Sequence, residues 1–207
     1  ERRVEGKIKL YSRKVLIQED AKDLLPNYYR FVEGVVDSED LPLNVSRETV
    51  QSNPVLSRIK KTLTGRLTKE LSELAEKAPE KYATFWSEFG IFLKEGVATE
   101  MAARDELLPL LRFHTTKSGD ALAALADYTG RMAEGQEEIY YVLGGDLSSV
   151  RLSPHLEALE ERGLEVLLLA DVMDGFMLQG LREFAGHKLR NIDEPNLKLP
   201  GESTPAE

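Results

Sequence analysis

"EEIYYVLGGDLSSVRLSPHLEALEERGLEVLLLA", residues 137–170, sets the fold class. Ile139, Tyr140, Tyr141 and Val142 are β-branched or aromatic, so "EEIYYVLGG" reads as a strand with Gly144 and Gly145 turning the chain. Ser153 is a capping residue and Pro154 suits a first helical turn, so "SPHLEALEERG" reads as a helix. "LEVLLLA" is apolar apart from Glu165 and reads as a buried strand. Strand, helix, strand in this order points to a mostly parallel sheet covered by helices.

The pattern continues outward. "LLRFHTT" (110–116) is a candidate strand, and "SGDALAALADYTGRM" (118–132) a helix with Leu122, Leu125, Tyr128 and Met132 in register. "VMDGFMLQGLREF" (172–184) reads as a further helix. Met173, Leu181 and Phe184 are expected in its core, with Phe176 and Met177 partly exposed. Such a stripe fits either an ordinary buried face or an adaptable apolar patch that grips nonpolar partners. The tail 194–207, rich in Pro, Gly, Ser and acid, is expected to be a flexible tail or linker.

Upstream, "SNPVLSRIKKTLTGRLTKELSELAEKA" (52–78) is the strongest helix. Asn53 caps it, Pro54 opens it, and Leu56, Ile59, Leu63, Leu67, Leu71 and Leu74 form one stripe. Lys60, Lys61, Arg66 and Lys69 accompany it as a solvated face or as contacts for an anionic partner. "PEKYATFWSEFGIFLKEG" (79–96) is a second helix, turned inward on Tyr82, Phe85, Trp86, Phe89 and Phe92 or Leu93 and ended by Gly96. "TEMAARDELLPLL" (99–111) is a third, shorter one. "GKIKLYSRKVLIQED" (6–20) reads as one long strand, "LLPNYYRF" as a short helical piece and "FVEGVVD" (31–37) as a second strand. Three helices in succession after the strands suggest a helical connector between two α/β units.

The second strand runs into "DSEDLPLNVSRETVQSNP" (37–54). A strand, a loop and a helix start is where α/β folds place ligand groups. Asn44 and Ser46 are capping types, yet Arg47 brings positive charge to a helix N-terminus, which costs a few tenths of a kcal/mol, roughly. Either Arg47 pairs with Asp40 or Glu48, or helix start and guanidinium together form an anion site awaiting a phosphate.

The bulk composition narrows the rest. Across 207 residues the net charge is −9, which disfavours phosphate tracking along nucleic acid. There is no Cys, which removes disulfides and thiolate chemistry and suits a reducing cytosol. His114, His155 and His187 are scattered, so no metal site is expected. The run "LEVLLLADVM", broken by Glu165 and Asp171, falls short of a membrane span. The chain carries no phosphate-cradling glycine loop and no catalytic serine elbow, and it opens on Glu1, so it reads as an excised piece that is not a self-sufficient enzyme.

"DSEDLPLNVSRETVQ" resembles the heat-shock protein 90 chaperone family closely. The likeness extends through "KIKLYSRKVLI", "NYYRFVEGVVDS", "EKYATFWSEFGIFLKEG", "EEIYYV" and "SSVRLSPHLEALEERGLEVLLL", and is strongest to the bacterial type. The resemblance implies the family's middle domain: a larger αβα unit, a three-helix coil and a smaller αβα unit. It implies that Arg47 reaches the γ-phosphate of ATP held in an absent N-terminal nucleotide domain, with Gln51 supporting and Asn44 and Ser46 shaping the loop. ATP and Mg would serve the full-length ATPase, while this piece alone is expected to be inactive.

The resemblance further implies a cytoplasmic bacterial homodimer, completed by a C-terminal dimerisation domain and acting on nonnative client proteins. Leu16 would touch the nucleotide domain, and Phe176, Met177 and Gln179 would touch clients. The sequence departs from the family pattern at Leu16, where many members carry Phe, and at Gly175 and Phe176, where bacterial members carry an acidic residue and Trp. The rival reading is a stand-alone interaction scaffold without ATP linkage.

Overall fold

The computed structural model describes residues 6–42, 53–195, Leu197 and Leu199. The described residues are mixed α/β, with two sheets among them, and the chain divides into two compact units, Glu1–Leu93 and Lys94–Glu207.

In the first unit, β1 (Ile8–Ser12) pairs antiparallel with β2 (Val15–Gln18) and parallel with β3 (Gly34–Asp37), in the order β2-β1-β3. The single strand expected over 6–20 is therefore a hairpin. Its two-residue turn places Arg13 at φ 47° and Lys14 at φ 67°, both left-handed, as a tight hairpin turn requires. Gly or Asn normally marks such a turn, and neither is present. Left-handed backbone costs about 1–2 kcal/mol per non-glycine residue, and here the Asp37 carboxylate accepts the Lys14 N–H at 3.2 and 3.3 Å. The helical piece after β2 is two short 3₁₀ turns, Lys22–Leu24 and Asn27–Tyr29, which bury Leu24, Tyr28 and Tyr29.

Helix α1 (Pro54–Lys77) starts where expected: the Asn53 side chain accepts the Val55 N–H at 2.9 Å. Its stripe is shallow. Leu56 is buried, while Ile59, Leu63, Leu67, Leu71 and Leu74 are half-buried. Helix α2 (Pro79–Thr99) runs through Gly96 instead of stopping there, because Gly96 is itself buried and continues the helix to Thr99. Phe31 stacks on Phe89 at 4.5 Å and on Phe92 at 5.5 Å between ring centroids. Phe92 and Leu93 both face inward.

In the second unit, the third helix expected over 99–111 is reduced to α3 (Arg104–Leu107) and a 3₁₀ turn, Leu108–Leu110. A five-stranded sheet has the order β4-β6-β5-β8-β7: β4 (His114–Thr115), β5 (Glu138–Leu143), β6 (Val166–Leu169), β7 (Glu183–Phe184) and β8 (His187–Asn191). β5 lies parallel to both β6 and β8, and each edge is antiparallel. The parallel sheet read from 137–170 is thus present, with β6 buried along its whole length. Helix α4 (Leu125–Gly130) is shorter than the expected 118–132. Phe113 and Ala123 exchange backbone hydrogen bonds at 2.9 and 2.8 Å, which takes the preceding residues out of the helix.

Short helices α5 (Leu147–Arg151) and α6 (Pro154–Glu160) cross from β5 to β6. Val150, Leu156 and Leu159 pack with Tyr140, Val142, Val166 and Leu168. Leu197 and Leu199, in the segment expected to be a tail, pack partly buried on this core, and the remaining tail residues lie outside the described ones.

A polar hub ties α4 to the sheet. Tyr128 donates to the Glu165 carbonyl at 2.6 Å and accepts the Tyr140 N–H at 2.9 Å and the Gln136 side-chain N–H at 3.1 Å. Burial pushes the Tyr128 phenol up to about 12. Glu165, also buried, accepts two hydrogen bonds from Arg131, at 3.0 and 2.7 Å, and one from Thr115 at 2.5 Å. Tyr128→Phe keeps the ring and takes this partner from the Glu165 carbonyl and the Tyr140 N–H, while the Gln136 amide still donates to the Glu138 carbonyl at 2.7 Å. The substitution is expected to destabilise by about 2–3 kcal/mol, given about 1–3 kcal/mol for each unsatisfied group; urea unfolding measures this.

Candidate functional site

Arg47, Gln51, Asn44 and Ser46 lie outside the described residues. The frame on either side of them is described. Ser38 N–H donates to the Tyr11 carbonyl at 3.1 Å, extending the β1–β3 pairing past Asp37. The buried Ser12 hydroxyl donates to the Leu41 carbonyl at 2.6 Å, and Arg13 Nε donates to the Glu39 carbonyl at 3.3 Å. With the Lys14–Asp37 contacts, the hairpin turn grips the chain between residues 37 and 41. At the far end, Asn53 fixes the start of α1. The segment carrying Arg47 therefore departs from one anchored point and arrives at another, at the end of a strand and the positive end of a 24-residue helix.

Leu16 is 47 % exposed and Val35 66 %. The strand register sets Leu16 opposite Tyr11 and Val35 opposite Lys9, on one face of the sheet. Leu16 thus presents apolar area to solvent, as its expected contact requires. Val35 escaped the sequence reading because β-branched residues are as common on buried faces. Among the described residues, no group of three His, Asp or Glu side chains could hold a metal ion.

The segment 171–184 differs from expectation. The helix is a single turn, α7 (Asp174–Met177), followed by a turn and then β7. A left-handed pair, Ala185 at φ 51° and Gly186 at φ 83°, reverses the chain into β8. The expectation that Met177 is partly exposed is corrected: it is 0 % exposed. Leu181 is buried, Met173 and Phe184 are half-buried, and Gln179 is exposed. Phe176 is 38 % exposed and Val172 89 %. The outward pair is Val172 and Phe176, not Phe176 and Met177. On one helical turn, neighbours face about 100° apart, so the single turn separates Phe176 from Met177.

This segment rests on the last turns of α2. Asp174 and Lys94, both buried, form an ion pair at 2.6 Å, and Asp171 stands 3.7 Å from the same ammonium. Burial holds the Asp174 carboxyl above its ordinary range, with the Lys94 charge pulling the other way. A Cβ on Gly180 would fall 2.0 Å from the Val97 carbonyl oxygen, so only glycine admits this approach. Arg104 Nη1 donates to the Gly180 carbonyl at 3.3 Å.

Residues 1–207 match the family described as Hsp90 protein. The chain belongs to the Hsp90 family. Among bacterial relatives named Chaperone protein HtpG, that of Roseobacter denitrificans is 49 % identical over 89 % of this chain and 30 % of the relative. That of Desulfitobacterium hafniense is 44 % identical over 97 % of this chain and 33 % of the relative. That of Francisella tularensis subsp. novicida is 46 % identical over 96 % and 32 %. This Hsp90-family chain therefore spans about a third of the length of the curated relatives it matches. Among its described residues, no helix is long and apolar enough to cross a membrane.

Proposed function

We propose that the chain is the middle region of an HtpG-like, ATP-dependent chaperone. Arg47 supplies a guanidinium to the γ-phosphate of ATP bound by a separate nucleotide domain, Gln51 supports it, and Asn44 and Ser46 shape the loop. The observation that carries this reading is the anchored frame: the grip of Ser12, Arg13 and Lys14 on residues 37–41, and the Asn53 cap at the other end. A guanidinium brought to the γ-phosphate is useful where charge builds up on a transferring phosphoryl group. Leu16 and Val35 offer apolar area for the nucleotide domain, and Val172, Phe176 and Gln179 offer contacts for nonnative clients. Met177 supports that surface from beneath.

In this reading, residues 1–53 are part of a larger αβα unit, 54–110 a helical connector, 111–193 a smaller αβα unit and 194–207 a linker. The full-length protein is a cytoplasmic homodimer that uses ATP and Mg. The partition of labour makes a direct prediction. Phosphate release by the isolated chain with ATP and Mg equals the buffer blank, while the full-length protein turns ATP over. Turnover that follows the isolated chain through successive columns contradicts the proposal. A full-length protein without ATPase activity favours the scaffold reading.

A further inference from the structure

The Lys94–Asp174 pair has no part in the proposed nucleotide contact, yet it is the most deeply buried ion pair among those the structure shows between described residues. Stability alone is a weak reason for it. Removing two charges from water costs several kcal/mol per ion, on the order of what their attraction returns, and well-packed apolar side chains often do as well or better. What an ion pair supplies and an apolar contact does not is a fixed position.

That position matters on this segment. Asp174 and Met177 are three residues apart on one turn, so they share a side, while Phe176 points elsewhere. Drawing Asp174 inward thereby draws Met177 inward and leaves Phe176 outward. An apolar residue at position 174 would allow the turn to roll, since Phe176 and Met177 both gain from burial. The second carboxylate oxygen of Asp174 accepts the Asp171 N–H at 2.9 Å, and Asp171 accepts the Met173 N–H at 2.7 Å. The loop carrying Val172 is therefore fixed from the same carboxylate. Lys94 is itself confined, with its ammonium 5.9 Å from the centre of the Phe113 ring. At the far end, Gly180 against Val97 and Arg104 on the Gly180 carbonyl complete the clamp.

We infer that Lys94 and Asp174 are positioning residues for client contact: their buried pair fixes residues 171–177 on α2 so that Val172 and Phe176 face solvent and Met177 does not. The inference rests on the reading of this segment as a client surface. Its partner is an unfolded polypeptide presenting apolar side chains.

The test uses the full-length protein and a reduced, carboxymethylated protein that cannot refold as the client probe. Lys94→Met is the principal variant, because the Asp174 it leaves behind can take a proton and stay buried. Amide hydrogen exchange over 171–180 is expected to speed up roughly tenfold, local opening being set by local contacts, while β5 and β6 keep their protection. Probe affinity is expected to fall about fivefold or more, the lower end of usual coupling strengths. Lys94→Arg should restore both, because it restores the charge. Phe176→Ser serves as the control: it should weaken probe binding and leave exchange over 171–180 near wild type. Unchanged exchange and affinity in Lys94→Met overturns the inference, as does faster exchange with unchanged affinity while Phe176→Ser still weakens binding. If Phe176→Ser leaves affinity intact, the client reading itself fails, and the positioning role for client contact falls with it. Should Lys94→Met unfold the protein, Asp174→Asn takes its place with the same two readouts.

Discussion

Arg47→Ala in the full-length protein is expected to lower kcat for ATP hydrolysis by about 10²–10³, the loss seen when one preorganised donor to a developing anion is removed. That fold-change corresponds to about 3–4 kcal/mol of transition-state stabilisation. Nucleotide affinity should hardly move, since the groups that grip adenine and ribose belong to the other domain in this account. Fold stability should shift by less than about 0.5 kcal/mol, because in this account Arg47 meets its partner only in the closed full-length protein. Arg47→Lys is expected to recover little, because an ammonium lacks the planar fork that meets two phosphate oxygens at once. Single-turnover hydrolysis, nucleotide binding and melting, measured side by side, separate these effects. Normal hydrolysis in Arg47→Ala would leave the arginine as a surface ion pair.

The second large effect concerns neighbouring residues with opposite fates. Met177 is 0 % exposed, so Met177→Ala should destabilise the protein by about 2–5 kcal/mol, the range for truncating a buried large side chain. Phe176, 38 % exposed, should tolerate Ser at a cost of about 1 kcal/mol or less while client affinity drops. Urea titration and client binding of the two single variants check this. Equal destabilisation by both would mean that Phe176 is core, and would remove it from the client surface.

These residues also show where the sequence is legible. The parallel pair β5 and β6 follows from long apolar runs, and α1 from a leucine stripe with a cap, because regular periodicity and burial leave strong local marks. Both hairpins were missed for a local reason. Arg13–Lys14 and Ala185–Gly186 turn through left-handed backbone, and three of those four residues are ones that L side chains make unfavourable there. Tertiary contacts decide them, as the Asp37 carboxylate does for Lys14. The helix expected over 172–184 failed because its apolar spacing suits a helix, while Gly180 breaks away to meet the Val97 carbonyl.

The site divides in the same way. Arg47 stood out as a charge of the wrong sign at a helix start, whereas the grip on residues 37–41 comes from Ser12 and Arg13, distant in sequence. Lys94 and Asp174 gave no signal at all. Eighty residues separate them, and in a chain with 36 acidic and 27 basic residues neither is conspicuous.

The central claim is a contact between Arg47 and a phosphate held by another domain. A structure of the full-length protein closed on a non-hydrolysable ATP analogue with Mg measures it directly. The account predicts the Arg47 guanidinium nitrogens at charge-assisted hydrogen-bond distance from γ-phosphate oxygens, about 2.7–2.9 Å. A closed state in which Arg47 is paired with Asp40 or Glu48, and no atom of this chain reaches the γ-phosphate, would contradict it.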